Sequence, residues 1–234
     1  MMQITKEQLK AWNACDDGYA LFESHFPEGH AEYQTILNTL ADEDFPDYAN
    51  WLMDRAGCDE HAVIEIDAIT NRKHFFAAGS IVIKASAVVT WTLRAGGRIK
   101  AGERIKAGGR IKAGDGIEAG FGIEAGRGIE AGFGIEAGRG IKAGDGIKTG
   151  RGIKAGDGIK AGDGIEAGRG IKAGDGIEAG GIIEAGNGFG VFAGLRSRLT
   201  DWPVSARVIA KTKPNNLVSG SWVEWSEKAT EEDA

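Results

Sequence analysis

The stretch that decides the fold is Ile141-Lys142-Ala143-Gly144-Asp145-Gly146, which returns as Ile153-Lys154-Ala155-Gly156-Asp157-Gly158. From Ile99 onward the chain repeats the pattern Ile-(Lys/Glu)-Ala-Gly-X-Gly every six residues. The same spacing of apolar residues extends back to Phe75 and forward to Leu195, which makes twenty-one units. A fixed period of this kind indicates a repeat architecture, in which each unit is one structural element that stacks on its neighbours.

Each unit reads as one strand and one corner. Ile and Ala flank a charged residue, an alternation typical of a strand that turns Ile and Ala to one face and Lys or Glu to the other. The following Gly-X-Gly predicts a corner where the backbone needs either a positive φ or a close approach that a Cβ would prevent. Three sides would close a triangular coil of about 18 residues, so the units predict about seven coils.

The predicted fold is therefore mainly β: a triangular single-chain β-helix, a solenoid, with a small N-terminal α-helical domain and a C-terminal β cap. The tract resembles the hexapeptide-repeat β-helix proteins, whose units also place an aliphatic residue every six positions around a triangular prism. That family usually sets its small inward residue two places before the aliphatic one, whereas here Ala comes two places after it.

The region before the repeats has helical spacing. Thr5-Lys6-Glu7-Gln8 is a capping-box pattern that opens a helix carrying Leu9, Trp12, Tyr19 and Phe22. A second helix carries Tyr33, Ile36, Leu37 and Leu40, and a third begins at Pro46 and ends at Gly57. The first strand is expected within Ala62–Ile69. The predicted organisation is an acidic α-helical head (1–61), strand entry and first coils (62–92), the hexapeptide-repeat β-helix (93–194), a C-terminal cap (195–225) and a disordered tail (226–234).

The charge is unevenly distributed along the chain. Residues 1–74 contain 15 acids and 5 bases, whereas residues 93–188 contain 13 acids and 16 bases, so the net charge of −6 hides a strongly acidic head. No apolar run is long enough for a membrane span, and no secretory signal opens the chain. Cys15 and Cys58 are too few for a disulfide framework, so we expect reduced thiols and a cytoplasmic location.

Catalytic and metal-binding patterns are weak. The resemblance implies an acyltransferase in which a histidine at the coil edge acts as the general base, but His25, His30, His61 and His74 all precede the glycine-rich tract. Thr149 is the one hydroxyl group from Ile99 to Gly188. Asp163 and Glu166 could form an acid/base couple, although solvated charges on a repetitive face explain them better. We predict a non-enzymatic protein with no cofactor and no bound metal.

The candidate binding residues lie in charged bands and at corners. A basic band contains Arg98, Arg104, Lys106 and Arg110, and the acidic cluster Asp42, Glu43 and Asp44 stands out in the head. Phe121 and Phe133 occupy corner positions that elsewhere hold Asp or Arg. These residues could anchor a partner. The alternatives are solubility and charge pairing between coils for the bands, and packing over neighbouring corners for the two rings.

The acidic head (Leu9, Ala11, Trp12, Phe26-Pro27-Glu28-Gly29) combined with Gly-Ile-Lys-Ala-Gly repeats is similar to proteins of bacteriophages and prophages. The leading hypothesis is a phage-encoded interaction protein that inhibits a host nucleic-acid-binding defence complex, as an anti-CRISPR protein or a nucleic-acid mimic would. We expect the partner to be a host protein or protein complex, not nucleic acid or a membrane, and leave homo-oligomerisation open. The alternatives are a virion spike or fibre component and a degenerate hexapeptide-repeat acyltransferase.

Overall fold

The computed structural model describes residues 2–197 and 199–226 of the 234-residue chain. A helical head occupies the N-terminal end, and a parallel β-solenoid with C-terminal strands fills the remainder, as the sequence predicted. Cys15 and Cys58 are free thiols. Apart from Ser226, the predicted tail (226–234) lies outside the described residues.

The head is built from four helices and one short ribbon. Strands β1 (Gln3–Thr5) and β2 (His30–Glu32) pair antiparallel, an element that the sequence analysis missed because each strand has three residues. The helices of the chain are α1 (Lys6–Ala11), α2 (Asp16–His25), α3 (Tyr33–Asp42), α4 (Pro46–Ala56) and, near the C-terminus, α5 (Trp202–Ser205).

Local signals explain where α1 and α4 begin. The capping box is confirmed, since the Gln8 amide donates to Thr5 Oγ1 at 3.3 Å and the Thr5 amide donates to Gln8 Oε1 at 2.8 Å. The single helix expected from Leu9 to Phe22 is wrong: the chain breaks between α1 and α2, where Asn13 takes a φ of 58°. Pro46 opens α4, as its fixed φ favours, and Gly57 follows its end with a φ of 73°.

Within residues 2–197 and 199–226, the solenoid contains twenty-three strands. The first four, β3 to β6, are Val63–Ile66, Ile69–Ala77, Ser80–Ile83 and Ala87–Ala95. One strand follows in each repeat unit: β7 Ile99–Ala101, β8 Ile105–Ala107, β9 Ile111–Ala113, β10 Ile117–Ala119, β11 Ile123–Ala125, β12 Ile129–Ala131, β13 Ile135–Ala137, β14 Ile141–Ala143, β15 Ile147–Thr149, β16 Ile153–Ala155, β17 Ile159–Ala161, β18 Ile165–Ala167, β19 Ile171–Ala173, β20 Ile177–Ala179 and β21 Ile183–Ala185. The C-terminal strands are β22 Val191–Phe192, β23 Arg207–Ala210, β24 Leu217–Ser219 and β25 Ser221–Glu224.

Every third strand pairs in parallel, so that residues 18 apart lie side by side, as Ile123 does between Ile105 and Ile141. Face 1 is a nine-stranded sheet in the order β24-β22-β19-β16-β13-β10-β7-β5-β3. Face 2 runs from the start of β6 through β8, β11, β14, β17, β20, β23 and β25, and face 3 runs from the end of β6 through β9, β12, β15, β18 and β21. The long strand β6 bends around one corner and also pairs with β4, so that faces 2 and 3 form a single 14-stranded sheet.

The number of turns is greater than predicted. Nine strands on face 1 correspond to about nine turns instead of about seven. The difference arises at the two ends, where β3 precedes the first unit at Phe75 and the C-terminal strands continue the sheets beyond Leu195. These end strands depart from the six-residue pattern, which is why counting units did not include them.

The core of the solenoid consists of stacked Ile and Ala side chains. The repeat isoleucines are at most 4% exposed and the repeat alanines at most 8%, whereas the residue between them faces outward. Thr149 takes the place of one inward Ala and donates its hydroxyl to the carbonyl oxygen of Phe133. Each turn therefore buries further aliphatic surface, and the free energy of folding gains about 25 cal/mol for each Å² that is buried.

The first glycine of each corner is required by a close approach and not by its φ. None of the Gly-X-Gly corners between Gly102 and Gly181 has a positive φ; within the described residues the positive-φ glycines are Gly29, Gly57, Gly188, Gly194 and Gly220. A Cβ at Gly144 would overlap the carbonyl oxygen of Gly126 in the preceding turn. A Cβ at Gly146, the second glycine of the same corner, would lie 3.3 Å from the carbonyl oxygen of Gly164.

We therefore expect Gly144→Ala to lower the free energy of unfolding by about 3 kcal/mol, the upper end of the usual cost of overpacking. Gly146→Ala serves as the matched control and should cost less than about 1 kcal/mol, because its neighbour needs to move by a few tenths of an ångström. Guanidinium denaturation followed by circular dichroism measures both values. Equal losses in the two variants would contradict the close-approach explanation.

Candidate functional site

The head is joined to the solenoid through the side chain of Gln34. Its Nε2 donates to the carbonyl oxygen of Phe76 at 2.9 Å, and its Oε1 accepts from the amide of Ala78 at 2.9 Å. Phe76 and Ala78 also belong to the apolar core of the head. Helix α3 therefore covers a strand end that would otherwise expose unpaired backbone groups.

The acidic cluster Asp42-Glu43-Asp44 is ion-paired within the chain. Asp42 pairs with Arg72, Asp44 pairs with Lys73, and Glu43 Oε2 lies 3.0 Å from His25 Nε2. Of the three acidic residues predicted to bind a partner, Asp42 and Asp44 thus pair with residues of β4, and Glu43 lies beside a residue of α2. The arrangement attaches the head to the solenoid, and the role of these acids in binding a partner stays a prediction.

Two buried polar side chains complete this junction. Arg94 is 7% exposed; it donates from Nη1 to Asn50 Oδ1 at 2.8 Å and pairs through Nη2 with Asp54. His74 is 6% exposed, its Nε2 lies 3.1 Å from Asp44 Oδ1, and its Nδ1 has no hydrogen-bond partner among the described residues. Burial lowers the pKa of His74 more strongly than the Asp44 carboxylate raises it, so the buried ring is neutral near pH 7.

The outward charges of the solenoid pair between successive turns. On all three faces a Lys lies beside the Glu 18 residues later: Lys100 Nζ is 3.1 Å from Glu118, Lys106 Nζ is 3.2 Å from Glu124 and Lys112 Nζ is 3.7 Å from Glu130. Further along, the pairs are Lys154–Glu136 at 2.6 Å, Lys148–Glu166 at 2.8 Å and Lys160–Glu178 at 2.9 Å. The charged bands of the sequence are therefore rings around the solenoid.

The predicted basic contacts lie on one such ring. Arg98, Arg104 and Arg110 immediately precede β7, β8 and β9, which belong to faces 1, 2 and 3. They therefore lie at three different corners of one turn, and Lys106 is paired with Glu124 on face 2. The structure does not bring these four cations together on one face, and their role in binding stays a prediction.

The rings of Phe121 and Phe133 are both half-exposed, and each is in contact with an Arg side chain of the next turn. Their exposed fractions are 42% and 43%. The guanidinium of Arg139 lies 4.8 Å from the centre of the Phe121 ring, and that of Arg151 lies 4.4 Å from the centre of the Phe133 ring. Each Arg comes from the same corner of the next turn, so the two rings form cation–π contacts at two different corners.

The sequence analysis missed an apolar cleft in the head. The cleft has a volume of about 250 Å³ and lies between α2 on one side and α3 and α4 on the other. Its walls include Leu9, Phe22, Ile36, Leu40, Tyr48 and Trp51. The cleft could not be predicted from the α2 residues Gly18, Leu21 and Phe22. An apolar helix face predicts that its side chains are buried, but it does not predict a gap that remains after the helices pack.

The repeat tract gives no comparable enclosed site. The grooves along its faces are open and lined by charged side chains and corner glycines. Within residues 2–197 and 199–226, no group of three or more His, Cys, Asp or Glu side chains is placed to hold a metal ion. In the same part of the chain, no helix has the length and apolar character that crossing a membrane requires.

Comparison with known proteins adds one finding. Residues 2–57 match the family model described as the YdhT N-terminal domain, so the head is similar to that domain. No curated protein and no solved structure matches the chain. The match covers the four N-terminal helices and the cleft between them, and it ends before the first strand of the solenoid.

The junction predicts acid sensitivity. A His74 pKa below its ordinary 6.5 means that the unfolded chain takes up a proton first, so stability is fully present above about pH 6.5 and falls as the pH drops below it. Asp44 acts in the same direction at lower pH, because the hydrogen bond from Lys73 holds its pKa below the ordinary 3.8. The melting temperature should therefore decrease as the pH is lowered from about 7 to about 5.

His74→Gln tests this effect, because glutamine can still donate to Asp44 but does not titrate. We expect the decrease in melting temperature between about pH 7 and pH 5 to become smaller in this variant. His61→Gln, at an exposed position, is the control and should keep the wild-type slope. An unchanged slope in His74→Gln would remove His74 as the titrating group.

Proposed function

We propose that this protein is a non-enzymatic binding protein whose helical head engages a partner protein and whose solenoid is the rigid support. The supporting observation is the apolar cleft, which opens between helices α2, α3 and α4 of a head whose residues 2–57 are similar to the YdhT N-terminal domain. Concave, mostly apolar sites with a few polar groups at the rim are where proteins most often bind other molecules.

The occupant that fits best is a partner segment with one bulky apolar side chain flanked by Lys or Arg. A volume of about 250 Å³ has room for one aromatic or aliphatic side chain. Residues 1–57 contain 11 acids and 3 bases, and Asp47 lies in the wall of the cleft. Asp16 and Asp17, in the first turn of α2, are exposed nearby. A basic segment therefore complements the surface around the cleft.

We further propose that the partner is a nucleic-acid-binding protein or complex of a bacterial host. This protein would then be a phage-encoded cytoplasmic inhibitor, which is the narrower form of the proposal. Proteins that bind nucleic acid carry basic surfaces, which an acidic head can occupy. A structural role in a virion spike or fibre is the second candidate, and it is supported by the stiffness expected of about nine stacked turns tied by ion pairs. The acyltransferase alternative rests on the resemblance alone.

Gly18→Leu tests the cleft. A Cβ at Gly18 would meet Cys15 Sγ at 3.3 Å and Tyr48 Cε1 at 3.9 Å, so a larger side chain there fills the cleft without meeting backbone. Gly18 lies inside α2, where replacing glycine favours the helix by up to about 1 kcal/mol. We therefore expect a melting temperature that is not lowered and a loss of binding.

The assay uses two fluorescein-labelled lysine-rich peptides that differ in one central residue, Trp or Ala. We expect the wild-type protein to bind the Trp peptide at least about tenfold more tightly, as a buried anchor residue requires. Gly18→Leu should abolish this preference, and Ala20→Leu, which adds the same side chain at an exposed position of α2, should retain it. Equal binding of both peptides by the wild-type protein would contradict the proposal.

The narrower form needs a separate measurement. Affinity purification from lysate of a bacterial host should recover a stoichiometric nucleic-acid-binding partner with the wild-type protein and with Ala20→Leu, but not with Gly18→Leu. Recovery of the protein in phage particles without such a partner would favour the structural role instead. Calorimetry with acetyl-CoA tests the acyltransferase alternative.

A further inference from the structure

Face 1 carries a block of four cations on two successive turns, formed by Arg151 and Lys154 on one turn and Arg169 and Lys172 on the next. All four residues are exposed and line one groove of about 700 Å³. The two Arg residues lie at the corner before face 1, and the two Lys residues lie at the centres of β16 and β19, which pair with Lys154 beside Lys172. We call this set the face 1 cation block.

One of the four cations in the block forms an ion pair with a carboxylate of the described residues, and three do not. Lys154 pairs with Glu136 at 2.6 Å, whereas Arg151, Arg169 and Lys172 form no ion pair with any carboxylate of the described residues. Face 2 has the same spacing of cations at Arg139 and Lys142, but there the next corner residue is Asp157. Placing cations side by side without acids costs stability, so the arrangement needs an explanation other than pairing between turns.

Aromatic rings flank the block. Phe133 precedes it and Phe189 follows it at the same corner, with exposed fractions of 43% and 44%. Arg151 lies over the Phe133 ring at 4.4 Å, Arg169 lies over the Phe189 ring at 5.9 Å, and Lys172 Nζ lies 5.4 Å from the centre of the Phe192 ring. Along one edge of the groove the two Arg residues therefore lie between two half-exposed rings, Phe133 and Phe189.

The floor of this edge offers backbone donors. Gly134, Gly152 and Gly170 line the groove, and their amide groups donate to no acceptor within the described residues. Unpaired amide groups beside cations are suited to anionic oxygens.

We propose that the face 1 cation block binds a short stretch of single-stranded nucleic acid. The cations and the glycine amides hold its phosphate groups, and Phe133 and Phe189 stack on its bases. An acidic polypeptide would satisfy the cations but would leave the exposed parts of the Phe133 and Phe189 rings in water, so the combination favours nucleic acid. This inference is independent of the cleft in the head, and it differs from the sequence-based expectation that the partner is not nucleic acid.

The acidic head does not oppose such binding. The head docks on β4 and the residues that lead into β5, and β16 lies four strands beyond β5 along face 1. At about 4.8 Å per strand the separation is about 19 Å. Since the screening length at physiological ionic strength is about 8 Å, repulsion between the head and a bound phosphate is weak.

Fluorescence anisotropy with a labelled oligothymidylate of about 12 nucleotides tests the inference. We expect binding whose affinity falls roughly 20- to 50-fold between about 50 mM and 200 mM salt, as three or four phosphate contacts require. Arg169→Glu/Lys172→Glu should reduce the affinity at least about tenfold and should lower the salt dependence. Phe189→Leu should reduce the affinity about fivefold or more without changing the salt dependence.

Arg139→Glu/Lys142→Glu is the matched control, because it makes the same charge change at the same spacing on face 2. We expect its affinity to stay within about twofold of wild type, with both double variants folded by circular dichroism. The inference is overturned if the oligonucleotide does not bind at about 50 mM salt, or if both double variants lose affinity equally. It is also overturned if poly-L-glutamate binds the block as tightly per charge, since the site would then accept acidic polypeptides.

Discussion

The structure depends on the close approach of the backbone between successive turns at the first glycine of each corner. The carbonyl oxygen of Gly126 occupies the space that a Cβ of Gly144 would need, and the same contact recurs from Gly108 to Gly126 and from Gly144 to Gly162. This contact sets how tightly the chain can bend around the stacked isoleucines. A solenoid with larger corner residues would need wider turns, and Ile and Ala would no longer fill its interior.

Because the interior and the glycines are fixed, each six-residue unit can vary at the strand centre and at the corner position between the glycines. The parallel register places each of these positions beside its equivalents 18 residues away. Side chains at equivalent positions therefore form a column along each face and along each corner of the solenoid. Pairs such as Lys148–Glu166 and Arg139–Phe121 are neighbours in such columns. Like charges lie together where the sequence repeats them 18 residues later, as with Arg151 and Arg169 at a corner and Lys154 and Lys172 on face 1.

The six-residue period alone was sufficient to predict the solenoid, its inward Ile and Ala residues and its glycine corners. The same period also implies that residues six apart lie on successive faces. The cations Arg98, Arg104 and Arg110 therefore form a ring around one turn and not a patch on one face. Distances between residues remote in the sequence could not be predicted at all. The pairing of Asp42 and Asp44 with Arg72 and Lys73 follows from how α3 docks on β4, and no local pattern encodes it.

The solenoid also determines how the two proposed surfaces act together. The cleft belongs to the head, and the head is held by buried contacts such as Gln34 with Phe76 and Arg94 with Asn50, so its position relative to face 1 is fixed. An acidic surface and a basic surface that are separated by more than the screening length do not neutralise each other. A rigid connection of this kind lets two ligands on one assembly be bound at once, and the second contact then forms without the entropy cost of a free encounter. On these two proposals, the length of the repeat tract sets the distance between the ligand in the cleft and the ligand on face 1.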